Sequence, residues 1–286
     1  MQIIDGKKIA DRELDKIKEE LAVLQTKINK KPGLAIILVG ENPASLVYVN
    51  KKIQTALATG FHAALFKFSP NTKESEIIKK IYELNQDPEY SGIIVQLPLP
   101  KHFDKFSVLD AVSKEKDVDG FSVNSQGMLF EGRTGFVPAT ALGILDLIES
   151  TNTEIDGKNC VVIGRSLIVG QPVAKILQDR NATVTVCHSH TKNLEFYTKI
   201  ADILVVAVGI PNFVKGSMVK KDAVVIDVGI NKLDNKIVGD VDFDSAKRKT
   251  SYLTPVPGGV GPMTIVSLLK NILNAFKNNN NLVKNI

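Results

Sequence analysis

The sequence predicts an α/β protein of two units, each built on a parallel sheet, and three observations predict it. Short apolar runs of strand length alternate with helix-length amphipathic segments along most of the chain. The run LAIILV (34–39) is continuously apolar rather than alternating, as in strands covered on both faces, and SGIIVQL (91–97), NCVVI (159–163) and ADILVVAVG (201–209) are further strand candidates. Halfway along, NCVVI, the glycine turn GRSLIVGQP (164–172) and the helix-like PVAKILQ form a strand–turn–helix unit. A chain of 286 residues, 44% hydrophobic and 23% charged, has the composition of one or two globular domains.

The elements follow in order. Leu14, Ile17, Leu21, Leu24 and Ile28 recur at spacings of three and four, which predicts an amphipathic helix over 8–30, ended by Pro32-Gly33. LAIILV is then a buried strand. Ser45 is the expected cap of a second helix, which runs to Gly60 with Leu46, Val49, Ile53, Ala56 and Leu57 as its core stripe. HAALFKF is a strand, 74–85 a helix carrying Ile77, Ile78, Ile81 and Leu84, and SGIIVQL a third strand. A short helix over 104–112, a glycine-rich loop over 126–135 and a helix over 140–150 lead to NCVVI. Beyond the glycine turn, ATVTVC, ADILVVAVG and DAVVIDVGIN are strands of a second unit. The loop TPVPGGVGPMT (254–264) precedes a last helix over 264–276, with Pro262 suited to its first turn. The Asn-rich end, NNNNLVKNI, is expected to fray.

Several stretches carry candidate chemistry, each with a plainer alternative. GRSLIVGQP presents backbone N–H groups and a helix N-terminus to a phosphate, or is a βα turn that uses glycine for packing. Tyr48 and Lys52 stand one helical turn apart, off the core stripe. The commoner arrangement for such a pair is a solvated lysine beside a half-buried tyrosine; a catalytic role needs a cleft over this helix. Gln96, at the C-terminal end of a buried strand, points into the crevice where open α/β sheets bind ligands, or caps a loop. Asp117-Val-Asp119-Gly120 reads as a turn. At the end of ATVTVC, where an acid would meet a free ribose 2′-hydroxyl, the chain reads His188-Ser189-His190-Thr191-Lys192. With Arg165 inside the glycine turn, this favours NADP over NAD; an exposed polar turn is the alternative.

The bulk numbers exclude other classes. The formal charge is +5, but no Lys/Arg run is interleaved with aromatics, so no nucleic-acid groove is expected. No apolar run approaches the ~18 residues of a membrane span. The opening MQIIDGKKIADREL turns charged at once, unlike a signal peptide, so the cytoplasm is the expected compartment. Cys160 and Cys187 lie in apolar runs, outside any metal-ligand spacing, and read as buried free thiols; no metal is expected.

Five motifs occur in one order: Tyr48-Val-Asn-Lys-Lys52, Val95-Gln-Leu-Pro-Leu-Pro100, Asp117-Val-Asp-Gly120, Gly164-Arg-Ser-x-x-Val-Gly-x-Pro172 and Pro255-Val-Pro-Gly-Gly-Val-Gly-Pro-Met-Thr264. With them the chain closely resembles the bifunctional methylenetetrahydrofolate dehydrogenase/cyclohydrolase (FolD) family, over essentially its whole length. The resemblance implies oxidation of 5,10-methylenetetrahydrofolate to the methenyl cation with NADP⁺, then hydrolysis to 10-formyltetrahydrofolate in the same cleft. It implies an N-terminal folate-binding domain (1–138 plus 265–286), a Rossmann NADP-binding domain (139–264), a last helix packed back on the first domain, and a homodimer. Tetrahydrofolate derivatives would be its small-molecule partners.

By the same resemblance Tyr48 stacks on the folate, Asp119 accepts from the pterin's N–H edge, and Lys52 transfers a proton or activates water with Gln96 orienting its amine. Leu97, Pro98, Pro257, Gly258 and Gly259 would line the substrate pocket. Gly164, Arg165, Ser166, Gly170 and Pro172 would form the phosphate turn, with Ser189 and His190 near the 2′-phosphate, Ile230 near the carboxamide and Thr140 near the cofactor. Two departures stand out. The family's Pro-Cys-Thr-Pro is here Pro138-Ala139-Thr140-Ala141, which costs pre-organisation rather than chemistry. His190 replaces a common Arg or Lys, and a neutral imidazole holds a phosphate less well than a fixed cation. A dehydrogenase with weak or absent cyclohydrolase activity and a binding protein without turnover are the alternatives. Two α/β domains alone would also suit an amino-acid or shikimate-type dehydrogenase.

Overall fold

A computed structural model describes residues 1–234 and 236–282. In chain order the elements are β1 (Gln2–Ile3), α1 (Gly6–Gln25), β2 (Gly33–Val39), α2 (Pro43–Ala58), β3 (His62–Phe68), α3 (Glu74–Gln86), β4 (Gly92–Val95), α4 (Lys105–Asp110), α5 (Val123–Phe130) and α6 (Ala139–Glu149). They continue with β5 (Asn159–Ile163), α7 (Gly170–Gln178), β6 (Thr183–Cys187), α8 (Leu194–Thr198), β7 (Ile203–Val206), β8 (Val224–Asp227), β9 (Asn231–Leu233), β10 (Lys236–Val238), α9 (Phe243–Ala246), β11 (Tyr252–Leu253) and α10 (Val260–Asn279). The chain divides into two compact units. One comprises Glu13–Ala139 and the chain from Leu268 on; the other comprises Met1–Arg12 and Thr140–Ser267.

The first unit is built on a parallel sheet of order β3-β2-β4 among the described residues. All seven residues of β2 are buried, which is why the run LAIILV carries no polar position. On one face Ala35, Ile37, Val39, Ile93 and Val95 pack against Ile77, Ile81 and Leu84 of α3 and Val108 and Leu109 of α4. The chain leaves β2 for β3 on one side and returns to β4 on the other. The C-terminal ends of β2 and β4 therefore form a topological switch point, where a ligand crevice opens in such sheets. Gly92 lets α10 close on β4: a Cβ there would lie 2.7 Å from Val118 and 3.2 Å from Ile272. Asn271 of α10 is buried, and its amide donates to Val118 O at 2.9 Å and Val137 O at 3.0 Å.

The second unit holds a parallel sheet of order β1-β11-β8-β7-β5-β6 among the described residues, and an antiparallel hairpin of β9 with β10. Its switch point lies beside β5, which pairs with β6 on one side and β7 on the other. Val161, Ile163, Leu204, Val206 and Val225 belong to one buried cluster of this unit. Cys160 and Cys187 are buried free thiols, and burial pushes Cys160 up to about 12.

The structure differs from the expected elements in several places. Residues 1–12 belong to the second unit, not the first, because Gln2 N donates to Ser251 O (2.7 Å) and Ile4 N to Leu253 O (3.0 Å), adding β1 to the sheet edge. α1 stops at Gln25 instead of continuing to 30, since Leu24 O takes the N–H groups of both Lys27 and Ile28 in a closing turn. The cap of α2 is Asn42 rather than Ser45: its Oδ1 accepts from Ala44 N and Ser45 N, with Pro43 opening the helix. On that helix Leu57 is exposed and Lys52 buried, the reverse of the expected stripe. Part of the expected loop over 126–135 is α5, capped by Ser122. α10 begins at Val260 and extends through Asn279, into the stretch expected to fray; residues 283–286 of that stretch lie outside the described residues. Among the described residues no helix is long and apolar enough to cross a membrane.

Because Asn271 serves the buried Val118 carbonyl and the half-buried Val137 carbonyl, Asn271→Ala leaves both without that donor. Urea unfolding should show a loss of about 3 kcal/mol, from ~1–3 kcal/mol per orphaned group. A loss below ~0.5 kcal/mol, the range of neutral surface changes, would contradict the role given to this side chain.

Candidate active site

At the switch point of the three-stranded sheet, a lysine is buried. Lys52 is 4% exposed, and its amine donates to Gln96 Oε1 at 3.2 Å. Gln96 is held for this. Its backbone N–H donates to Ile37 O (2.9 Å), carrying the β2–β4 ladder one residue past β4, and its Nε2 donates to Leu97 O (2.8 Å). The amide oxygen is thereby left to face the amine. Tyr48, one turn earlier on α2 and half-buried, has its ring centroid 5.1 Å from Lys52 Nζ. Burial pushes the Lys52 ammonium below its ordinary value, and the negative charge of Asp119 pulls the other way. The amine is buried and partnered rather than solvated.

Asp119 is half-buried and accepts no hydrogen bond from the described residues. Burial raises its carboxyl, while Lys52 lowers it. Its position is set by its neighbours. Val118 O is held by Asn271, Gly120 O accepts from Gln126 Nε2 at 2.7 Å, and Gly120 sits at φ +69° with no room for a Cβ beside Phe136 O. Asp117 is not merely a turn residue. It is buried, and its carboxylate accepts from Phe121 N, Ser122 N and Ser125 Oγ, tying the loop to α5. Leu97 is half-buried and Pro98 exposed, joined by a cis peptide bond directly after Gln96. The first unit thus gathers an amine of lowered basicity, an aromatic ring and an open carboxylate at the ends of β2 and β4. That set can stack a planar ring, clamp its N–H edge and move a proton.

In the second unit the glycine turn closes against the next strand. Gly164 has φ +124°, and a Cβ on it would lie 2.3 Å from Ala207 O; one on Gly170 would lie 2.1 Å from Gly164 O. Only glycine fits either position, and the backbone is left open toward the crevice. Ser166 Oγ accepts from Val169 N (3.2 Å) and Gly170 N (3.4 Å), shaping the loop into α7. The backbone N–H groups of Arg165, Ser166, Leu167 and Ile168 have no acceptor among the described residues. Four open donors before a helix N-terminus, with the exposed Arg165 beside them, are the donor set a dinucleotide pyrophosphate needs, so NADP fits these residues. Pro172 is buried in the first turn of α7, where its missing N–H costs nothing.

The turn after β6, beside β5 in the sheet, is built by its own residues. His188 N donates to Thr191 Oγ1 (2.8 Å), and His190 N donates to His188 Nδ1 (3.2 Å). Ser189 and His190 are exposed, with no acidic residue in the turn. Ile230 follows β8 and is 63% exposed. Thr140 Oγ1 accepts from Thr264 Oγ1 at 3.4 Å. Pro257, Gly258 and Gly259 belong to this second unit; Gly258 O accepts from Lys7 N at 3.0 Å, and Gly259 is buried under Pro255 O. Tyr48, Lys52, Gln96 and Asp119 come together within the first unit, and the glycine turn and the His188–Thr191 turn flank one switch point in the second. Asn42, Asp117, Ser125 and Gln126 are supporting residues that sequence reasoning missed. The capping pattern Asn42-Pro43 was available as a signal; the long-range partners of the others were not. Among the described residues no group of three or more His, Cys, Asp and Glu side chains is gathered as a metal site requires.

Residues 4–119 match the model of the tetrahydrofolate dehydrogenase/cyclohydrolase catalytic domain, and residues 138–280 that of the family's NAD(P)-binding domain. The chain is 53% identical to the bifunctional protein FolD of Campylobacter hominis over 279 residues, covering 97% of this chain and 98% of that one. It is similar to the crystal structure of the bifunctional FolD enzyme of Campylobacter jejuni, with a TM-score of 0.95 and 43% identity over 98% of this chain and 99% of that one. The Trypanosoma brucei FolD structure, complexed with NADP cofactor and inhibitor, gives 0.94 and 38% over 97% and 98% of the two chains. The chain belongs to the tetrahydrofolate dehydrogenase/cyclohydrolase family.

Proposed function

We propose that this chain oxidises 5,10-methylenetetrahydrofolate to 5,10-methenyltetrahydrofolate with NADP⁺ and hydrolyses the product to 10-formyltetrahydrofolate. The observation that carries this reading is the buried Lys52 amine, aimed at Gln96 beside Tyr48 and an open Asp119. NADP, when bound, supplies the hydride acceptor. The phosphate turn of Gly164, Arg165, Ser166, Gly170 and Pro172 would hold it, with Ser189 and His190 near the 2′-phosphate, Ile230 near the carboxamide and Thr140 near the cofactor.

Tyr48 stacks on the folate and Asp119 takes two parallel N–H donors of the pterin, a geometrically specific clamp. By the family resemblance Leu97, Pro98, Pro257, Gly258 and Gly259 are further substrate-binding residues. In the oxidation the folate nitrogen lone pair expels hydride from the bridging methylene, so the protein supplies alignment and needs no base. In the hydrolysis water adds to the cationic carbon. Lys52, whose charged form burial disfavours, accepts the proton, and Gln96 fixes the direction of its lone pair. As the C–N bond breaks, that proton passes to the departing ring nitrogen, and the remaining O–H proton of the added water is released to solvent as the formyl C=O forms. The same resemblance supports a homodimeric, cytoplasmic enzyme acting on tetrahydrofolate derivatives.

Purified protein given methylenetetrahydrofolate and NADP⁺ should produce NADPH without accumulating methenyl absorbance. Lys52→Met should keep part of the NADPH formation and accumulate the methenyl product, with hydrolysis reduced at least ~10²-fold. Hydrolysis at the wild-type rate in that variant sinks the assigned role. The sign of the pH dependence follows from the lowered pKa. Wild-type hydrolysis rises with pH as Lys52 loses its proton, beginning below the range of an ordinary lysine, and the variant lacks this rise. Because folding disfavours the Lys52 ammonium, the variant should also be at least as stable as wild type at neutral pH in thermal unfolding.

Arg165→Ala should raise the NADP KM about tenfold more than the NAD KM, the scale of one charge-assisted hydrogen bond. Equal increases would contradict a contact between Arg165 and the 2′-phosphate.

A further inference from the structure

Two buried carboxylates lie outside every residue set used above. Asp240 is 0% exposed and Asp227, the last residue of β8, is 3% exposed. Asp240 Oδ2 accepts from Val208 N at 2.7 Å and Gly209 N at 2.9 Å, both just past β7; its Oδ1 accepts from Asn231 Nδ2 at 2.8 Å. Asp227 Oδ1 accepts from Gly229 N (3.0 Å) and Asp240 N (2.8 Å), and its Oδ2 from Val241 N (2.9 Å), while its own N–H donates to Thr254 Oγ1 (2.7 Å). Two glycines make room for the pair. A Cβ on Gly229 would lie 2.2 Å from Asp240 Oδ1, and one on Gly239 would lie 1.8 Å from Asp227 Oδ2.

We propose that Asp240 is a positioning residue for the nicotinamide end of the cofactor, setting the Ala207–Gly209 turn against the Ile230 backbone, with Asp227 as its anchor. The proposal rests on the NADP reading above. Val208 adjoins Ala207, whose carbonyl packs against Gly164 of the phosphate turn, and Asn231 adjoins Ile230. One carboxylate therefore ties the loops that follow β7 and β8, both on the ligand-binding edge of the sheet. Burying two acids side by side is costly, and burial pushes Asp227 up to about 6, with the charge of Asp240 adding to the rise. Carboxylates hold several N–H donors at once, at fixed distances.

Asp240→Asn keeps the shape but puts an NH₂ group where an acceptor faces either the two backbone donors or Asn231, so one loop is released. Asn231→Ala cuts only the second tie and keeps both carboxylates. The probes are NADP and adenosine 2′,5′-bisphosphate, which carries only the adenosine end, each titrated calorimetrically into the full-length protein. Asp240→Asn should weaken NADP by about tenfold, ~1.4 kcal/mol, and leave the bisphosphate within about twofold. Asn231→Ala should shift NADP in the same direction by a smaller factor, and decides the matter if Asp240→Asn does not fold. Equal weakening of both probes, or of neither, overturns the proposal. Wild-type protein that fails to bind NADP overturns the cofactor reading itself.

Discussion

The Lys52 amine donates to the side-chain oxygen of Gln96 from a position that is 4% exposed. A charged ammonium is poorly solvated there, so burial shifts the side chain toward its neutral form, and Asp119 opposes the shift without cancelling it. Much of the first unit arranges this contact. Gln96 is placed by continuing the β4 ladder onto Ile37 O, and Asp119 by a loop held at Val118 O from α10 and at Gly120 O from Gln126. Lys52 itself is placed by α2, which Asn42 and Pro43 start directly after β2. A site built on the ends of strands and one capped helix is stiffer than one built on loops alone, and proton transfer needs that stiffness.

The two units use one topological device for different chemistry. Each parallel sheet changes direction beside a strand, and each places its candidate residues at the C-terminal ends flanking that change. In the first unit the crevice is furnished with side chains: an amine, a phenol ring and a carboxylate. In the second it is furnished mainly with backbone, the open N–H groups at Arg165 to Ile168, made approachable by Gly164 and Gly170. The division suits an enzyme in which one unit handles the reacting carbon and the other holds an anionic cofactor.

The alternation of strands and helices was legible because apolar runs such as LAIILV and NCVVI have strand length, the first with no polar position at all. The glycine turn was legible for the same kind of reason, since few residues other than glycine tolerate φ +124° against a carbonyl. Elements defined by distant partners were not legible. The two-residue β1 is a strand only because β11, about 250 residues away, lies beside it. The burial of Lys52 was invisible on its own helix, where residues alone favoured a solvated lysine; Gln96, 44 residues later, supplies the acceptor. Nothing local to Asp227 and Asp240 singles them out, because their contacts are to backbone N–H groups from three separate segments.

The most direct measurement is the titration of Lys52 itself, by NMR of protein labelled at the lysine side-chain nitrogens and ε-carbons. One resonance, assigned by its absence in Lys52→Met, should lose its proton below the ordinary lysine value of ~10.4. If the Lys52 resonance titrates together with the others, the amine is an ordinary cation, and the account of hydrolysis by a neutral, Gln96-oriented lysine is wrong.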